Sequence, residues 1–468
     1  MVQFLENIKK VGDSNLLVLI DKNIQELPIK ISVSMLKKVE RSLKDKKSFF
    51  HSFFIGEKDF EFVYIAFHGE NDSKDILEFL SEHITKLPSN LTLYSTSKDR
   101  LLKLFNTTLL SRYTFQNYKS EKKEDRINCI CEKKDTAFFQ DRLDTIKNIF
   151  FARDLGETPT HDLTPEKFAK ACKKVKFKNT KVKVFWPKEI DKMWMWLLKW
   201  VGFGSPNKPY FVILERIVDP KAQTIGFVGK WIVFDTGGLN IKMPSPIGWM
   251  ELMKFDMCGA ATVLAVMKEL DRKKIKVNII GALPIAENST GSSAMRPSDI
   301  LTSYSGKTVQ VLNTDAEWRL VLADAVSYLS KNYKIDRFIT IATLTGLCVM
   351  TFGHRYAAIM GDDAQMTQKL KNYSQENFEK YWELPFDSFY IEKTKSSIAD
   401  YDNHTPSAMA GTIMGGAFVY NFRLKNEKFT HIDIASVANV KGQAFGLYPK
   451  GVTWFWVDSL SAILQDFS

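Results

Sequence analysis

Short apolar, β-branched runs alternate with helical stretches along almost the whole chain, and this alternation restricts the fold more than any other feature. In the first part the runs are 16–20, 62–67 and 91–94, with helical patterns over 73–87 and near 98–105. Further on they are 182–185, 210–214, 231–234, 277–280, 338–344 and 431–434, with helices over 259–271 and 320–332 between them. Such interleaving predicts an α/β architecture. At 468 residues and 45% hydrophobic content the chain is too long for one ordinary domain and has ample material for a core, so two domains are expected. We place a smaller N-terminal α/β domain at 1–145, a linker helix and connection at 146–164, and a larger C-terminal α/β domain at 165–468. At that last boundary Thr164 can cap a helix and Pro165 can occupy its first turn.

Composition excludes several classes. Cys129, Cys131, Cys172, Cys258 and Cys348 form no CxxC pair and are odd in number, which suits a reduced cytoplasmic protein and supports neither a disulfide framework nor a zinc finger. Glu6, Lys9, Lys10 and Asp13 interrupt the N-terminus, so a signal peptide is not expected, and no window approaches ~18 uncharged apolar residues. No membrane partner is expected. The net charge of +11 leaves nucleic acid open as a partner, but the lysines lie in short mixed clusters such as Lys37-Lys38-Val39-Glu40-Arg41, which read as solvated faces.

Three carboxylate-bearing stretches carry the chemistry. In Asn313-Thr314-Asp315-Ala316-Glu317-Trp318-Arg319-Leu320 an apolar run, 308–312, leads into a D-x-E pair. If the run is a strand that continues, Asp315 and Glu317 share a face and must share either a proton or a cation. In 228–242, a strand delivers Asp235 to the Gly237-Gly238 turn, with Lys230 and Lys242 on either side. In 253–261, Asp256 precedes a helix whose first turn, Gly259-Ala260-Ala261, is small enough to pack tightly on a sheet. Singly these read as a solvated edge, a hairpin turn and an N-cap. The seven histidines form no HExxH pattern, which disfavours a histidine zincin.

In this order and wording the three stretches resemble the leucyl aminopeptidase (cytosol aminopeptidase) family. The resemblance runs from Phe151-Ala152-Arg153-Asp154-Leu155 through Glu287-Asn288 and Thr343-Leu344-Thr345-Gly346 to Pro449-Lys450-Gly451-Val452-Thr453. It implies a C-terminal catalytic domain with a central mixed sheet flanked by helices, and two divalent metals bound by Lys230, Asp235, Asp256, Asp315 and Glu317. Asp235 and Glu317 would bridge the metals, which would be Mn or Zn, with Mg or Co as further options, and which would hold a hydroxide nucleophile between them. Lys230 would bind as a neutral amine. Lys242 and Arg319 would be catalytic, Lys242 polarising the scissile carbonyl and Arg319 holding a bicarbonate that acts as general base. Met253, Thr343, Leu344 and Gly346 would contact substrate. The implied protein is a cytoplasmic homohexamer that releases N-terminal, leucine-like residues from peptides.

The chain departs from that family in one direction only. Tryptophan stands at Trp231, Trp318, Trp454 and Trp456, and at or near Trp194, Trp196, Trp200 and Trp249, where the family has glycine. Trp382 falls where the family often has a true tryptophan, and Trp186 has no counterpart we can place. Overpacking costs ~1–3 kcal/mol per site, so eight such changes approach the whole stability of ~5–15 kcal/mol. One explanation is a catalytically silent homologue serving as a scaffold or nucleic-acid-binding protein. The other is codon usage: UGA is read as tryptophan in one variant code and as glycine in another, and a misread gene would keep every polar site residue intact, as here. Glycine, at 24 of 468 residues, falls below the usual ~7%, and eight more would bring it close.

Overall fold

The computed structural model describes the chain except for residues 9–10, 12–13, 22–26, 56–59, 70–71, 73–74, 244–249, 406–408, 454–455 and 468. The described residues divide into two compact units, Met1–Lys147 with Val440–Lys450, and Asn148–Asn439 with Gly451–Ser468. In the first unit six strands run in the order Val2–Leu5, Arg126–Ile130, Asn90–Tyr94, Ser14–Leu19, Phe60–Phe67 and Phe49–Phe54. All neighbours are parallel except the last pair. Ser14–Leu19 lies inside the sheet, and every residue of it is buried, as its unbroken Leu-Leu-Val-Leu run requires of a parallel strand covered on both faces.

The second unit is built on a mixed sheet whose order is Tyr381–Glu383, Ala357–Gly361, Lys428–Asp433, Arg337–Ala342, Thr224–Gly229, Asn278–Asn288, Tyr210–Arg216 and Lys181–Phe185. The four strands from Lys428–Asp433 to Asn278–Asn288 are parallel, and antiparallel strands flank them. Trp231–Asp235 pairs in parallel with the far half of Asn278–Asn288. Helix Cys258–Asp271, buried at nearly every position, packs on the central strands and against Trp456–Gln465, while Trp318–Asn332 packs on them and against Gly411–Tyr420 and Trp196–Val201. This is the expected two-part α/β fold with a central mixed sheet between helices.

Several local expectations shift. The linker helix begins earlier, as Thr136–Glu157, and the strand expected at 277–280 runs on to Asn288. The strand expected over 308–312 ends at Gln310, so Asp315 and Glu317 do not share a strand face; they sit on a turn, and Glu317 immediately precedes helix Trp318–Asn332. The helix expected over 73–87 is seen as Ile76–Ile84, its first expected residues lying outside those described. Thr164 does cap Pro165–Lys174, its side chain accepting the Lys167 amide.

Asp324 shows how the helices are locked together. It lies fully buried in the middle of Trp318–Asn332, where its carboxylate accepts the amides of Leu198 (3.0 Å) and Tyr304 (2.7 Å) and so caps helix Trp196–Val201. Burial pushes its pKa up to about 7. Asp324→Ala should cost about 2–6 kcal/mol, because each of the two buried donors left without an acceptor costs about 1–3 kcal/mol. Equilibrium urea unfolding should show it as a lower midpoint at unchanged slope.

Candidate metal centre

The approach of one helix to the sheet sets the geometry. A side chain on Gly229 would strike the backbone of Gly259 and Ala260, and one on Gly259 would strike the Ile341 carbonyl. With neither present, the Ala260 amide donates to the Lys230 carbonyl (2.8 Å), and the Lys230 amide to Ile341 (3.1 Å). Lys230 is thereby fixed beside Asp256, just before that helix. Gly237 and Gly238 take positive φ of 88° and 65°, which lets the chain turn back over Asp235.

These constraints bring the lysines and carboxylates singled out from the sequence into one cluster, buried at Lys230, Asp235, Asp256 and Glu317 and partly exposed at Lys242 and Asp315. Lys230 Nζ lies 2.6 Å from Asp256 Oδ2 and 3.1 Å from Glu317 Oε1. Lys242 Nζ lies 2.8 Å from Asp235 Oδ2 and 2.5 Å from Asp315 Oδ1. Oxygens of Asp235, Asp256 and Glu317 lie within 4.8 Å of one another. Four carboxylates thus face two ammonium groups, an excess of negative charge inside the protein.

That excess shapes the titration of the cluster. Burial and mutual repulsion push Asp256, Asp315 and Glu317 up to about 7. Asp235 stays low, since Lys242 and Lys230 outweigh its burial. Burial alone would lower both lysines, but the surrounding carboxylates raise them. The neutral Lys230 amine implied by the resemblance therefore needs further positive charge nearby. Glu317 Oε2, fully buried, finds no hydrogen-bond partner among the described residues. An unpartnered buried carboxylate oxygen beside surplus negative charge is what an oxygen-ligated divalent cation satisfies, so the donor set fits the metals.

Several supports carried no strong sequence signal. Asn288 donates to Asp235 Oδ1 (2.8 Å) and to the Thr314 carbonyl (3.1 Å), joining two of the three stretches. Asn403 accepts the amides of Leu312 and Asn313 and donates to the carbonyls of Asn313 and Ala316, which clamps the turn bearing Asp315. Asn288 closes the Glu287-Asn288 pair already noted, but nothing local marks Asn403, some ninety residues from its partners.

Of the remaining candidates, Thr343 touches the cluster directly and the others lie on segments next to it or to the cluster residues in the chain. Thr343 Oγ1 donates to Asp256 Oδ1 (2.7 Å), and the Thr343 carbonyl accepts from Lys230 (3.4 Å). Leu344 is buried, Gly346 opens helix Gly346–Phe352, and Met253, also buried, lies in the short 3-10 helix Met250–Phe255 before Asp256. Arg319 is buried, with burial lowering its pKa to about 9 despite Glu317 and Asp433 nearby. Its guanidinium stacks 4.1 Å from the Trp318 ring.

The tryptophans are accommodated unequally. Trp231 lies against Phe168 with ring centroids 3.0 Å apart, well inside the ~4.5–7 Å of ordinary aromatic pairs, and its buried Nε1 finds no partner among the described residues. Trp194 ends helix Pro187–Met193 at φ 62°, a left-handed position that glycine normally fills. Trp318 is buried between Arg319 and Gly415, where any Cβ on Gly415 would collide with the indole. Trp196 and Trp200 show no comparable strain, and Trp456 is fully buried; Trp249 and Trp454 lie outside the described residues.

Residues 150–461 match the family described as cytosol aminopeptidase family, catalytic domain, over well more than half of the chain. The chain belongs to that family. A protein of Caulobacter vibrioides described as probable cytosol aminopeptidase is 39% identical over 320 residues, covering 68% of this chain and 64% of that one. One of Cenarchaeum symbiosum with the same description is 37% identical over 365 residues, covering 76% and 74%. Among solved structures, the bottromycin maturation enzyme BotP in complex with Mn superposes with a TM-score of 0.82 at 24% identity, covering 97% of this chain and 99% of that one, a likeness of fold. Membership in the cytosol aminopeptidase family makes this an enzyme of the leucyl aminopeptidase type, a metal-dependent class. No described helix is long and apolar enough to cross a membrane.

Proposed function

We propose that the chain is a dinuclear metallo-aminopeptidase that removes N-terminal, leucine-like residues from peptides. The observation that carries this is the buried cluster of Asp235, Asp256 and Glu317, with carboxylate oxygens within 4.8 Å of one another and Lys230 and Lys242 against them. Lys230, Asp235, Asp256, Asp315 and Glu317 would hold two divalent ions, Mn or Zn first and Mg or Co as further options. When bound, these supply Lewis-acid polarisation and a water acidified to act as nucleophile. The Mn named with BotP supports trying that ion first.

The chain's own groups do the rest. Lys242, partly exposed and held charged by Asp235 and Asp315, places positive charge where the scissile carbonyl oxygen becomes an anion. Arg319 offers a buried, planar fork for bicarbonate, which would take up the proton released in the attack. Met253, Thr343, Leu344 and Gly346 seat the N-terminal residue. The domain limits given above, a cytoplasmic location and a homohexameric assembly belong to the same reading. We further propose that the working protein has glycine at the eight tryptophan positions. That every polar group of the cluster is retained favours this over a silent scaffold or nucleic-acid-binding homologue.

The test is hydrolysis of leucine amide by metal-stripped protein titrated with Mn or Zn. Activity should appear with metal and vanish when the substrate amine is acetylated, because an exopeptidase needs a free N-terminus. Metal-loaded protein with glycine at the eight positions and no hydrolysis would defeat the reading.

A further inference from the structure

Asp433 ends strand Lys428–Asp433, is fully buried, and has no part in the chemistry above. Its Oδ1 accepts the amides of Leu344 (3.0 Å) and Ala435 (3.0 Å), and its Oδ2 accepts the Thr345 hydroxyl (2.9 Å). The Thr345 hydroxyl oxygen in turn accepts the Cys348 amide (3.2 Å), capping helix Gly346–Phe352, and meets Thr412 Oγ1 at 2.7 Å. At the other end of the same turn Thr343 is tied to Asp256 and Lys230. Three consecutive residues are thus pinned between two buried carboxylates, one in the acidic cluster and one outside it.

We propose that Asp433 is a positioning residue: by holding Leu344 and Thr345, it sets the height of the 343–345 turn above the acidic cluster and so the seating of the substrate's N-terminal residue. This rests on the aminopeptidase reading. Leu344 donates its amide to Asp433 and cannot donate it to substrate, so the carboxylate fixes which groups of the turn stay available. Asparagine at 433 keeps one acceptor oxygen for the two amides but replaces the oxygen that receives the Thr345 hydroxyl with a donor. The turn keeps its tie through the Leu344 amide and loses the one through Thr345, while the metal-facing anchor through Thr343 remains.

The experiment compares Asp433→Asn, Thr345→Val, the double variant and Thr345→Ser, each in the form of the chain that hydrolyses leucine amide. Misplacement by about 1 Å costs about 100-fold in kcat/KM. For a seating role the loss should fall mainly on KM. The double variant should be no worse than Asp433→Asn alone, Thr345→Ser should restore the parent KM, and Mn content per chain should not change. Hydrogen–deuterium exchange across 343–348 should quicken in the metal-free protein as well. An unchanged KM, with activity lost only in proportion to metal or folded protein, would overturn the proposal. Should Asp433→Asn fail to fold, Thr345→Val decides by the same KM criterion. Absence of hydrolysis in every metal-loaded form would instead overturn the aminopeptidase reading itself, a separate outcome.

Discussion

Protein made with glycine at positions 194, 196, 200, 231, 249, 318, 454 and 456 should melt higher than the chain as written and hydrolyse leucine amide at least 100-fold faster. The sign is the informative part. Truncating a true core tryptophan costs about 3–5 kcal/mol, so eight native tryptophans could not all be removed from a folded protein. Here the expectation reverses. Trp231 is pressed to a 3.0 Å centroid distance from Phe168, and relief of overpacking returns about 1–3 kcal/mol. Trp194 is mostly exposed at φ 62°, so Trp194→Gly alone removes left-handed strain of about 1–2 kcal/mol with little packing lost. The rate gain comes from Trp318, which adjoins Glu317 and covers Arg319; a shift of about 1 Å in such groups is worth about 100-fold. Scanning calorimetry and the amidase assay check both parts. Lower melting of the glycine form, or TGG codons at these positions, would sink the idea.

Asp235→Ala should abolish stoichiometric metal binding and lower kcat/KM on the order of 1,000-fold or more, the scale of several kcal/mol of Lewis-acid stabilisation. Asp235 anchors Lys242 and accepts from Gly237 and Asn288, so its loss disperses both halves of the cluster. Asn288→Ala removes only an orienting partner and should weaken metal affinity by about 10–100-fold. Equilibrium dialysis with Mn ranks the two, and equal effects would argue against Asp235 as a ligand. The same titration carries a pH signature. In the metal-free protein Asp256, Asp315 and Glu317 titrate near about 7, above the ordinary carboxyl value of about 4. Between these values the folded chain holds protons that the unfolded chain has released. Metal-free stability should therefore fall as pH rises from about 4 to about 7. Metal must displace those protons, so its affinity should drop steeply below pH about 7, about tenfold per unit for each proton displaced.

Much of this was legible in the linear chain because its signals are local. Alternating runs announced an α/β protein, since strand and helix periodicities are properties of neighbouring residues. Lys230, Asp235, Asp256, Asp315 and Glu317 announced themselves because each lies in a short stretch whose wording resembles one family. The register of Asp315 and Glu317 was not legible. A strand reading put them on one face by alternation, whereas Asn403 and Asn240 stop the strand and fold the segment into a turn. Both aspartate and glutamate still reach the cluster, by a different backbone path.

Sequence alone thus determined the fold class and the family, because these depend on residue type and short-range order, and it named the polar groups from which the site is proposed. Tertiary structure decided what brings those groups together. Gly229 and Gly259 allow a helix to touch the sheet, Asn288 and Asn403 bind segments dozens of residues apart, and Asp433 holds the turn beside the cluster. It also ranked the tryptophans, showing strain at 194 and 231, a buried wedge at 318 and none at 196 or 200. Strain is a property of what surrounds a side chain, and those surroundings come from distant parts of the chain.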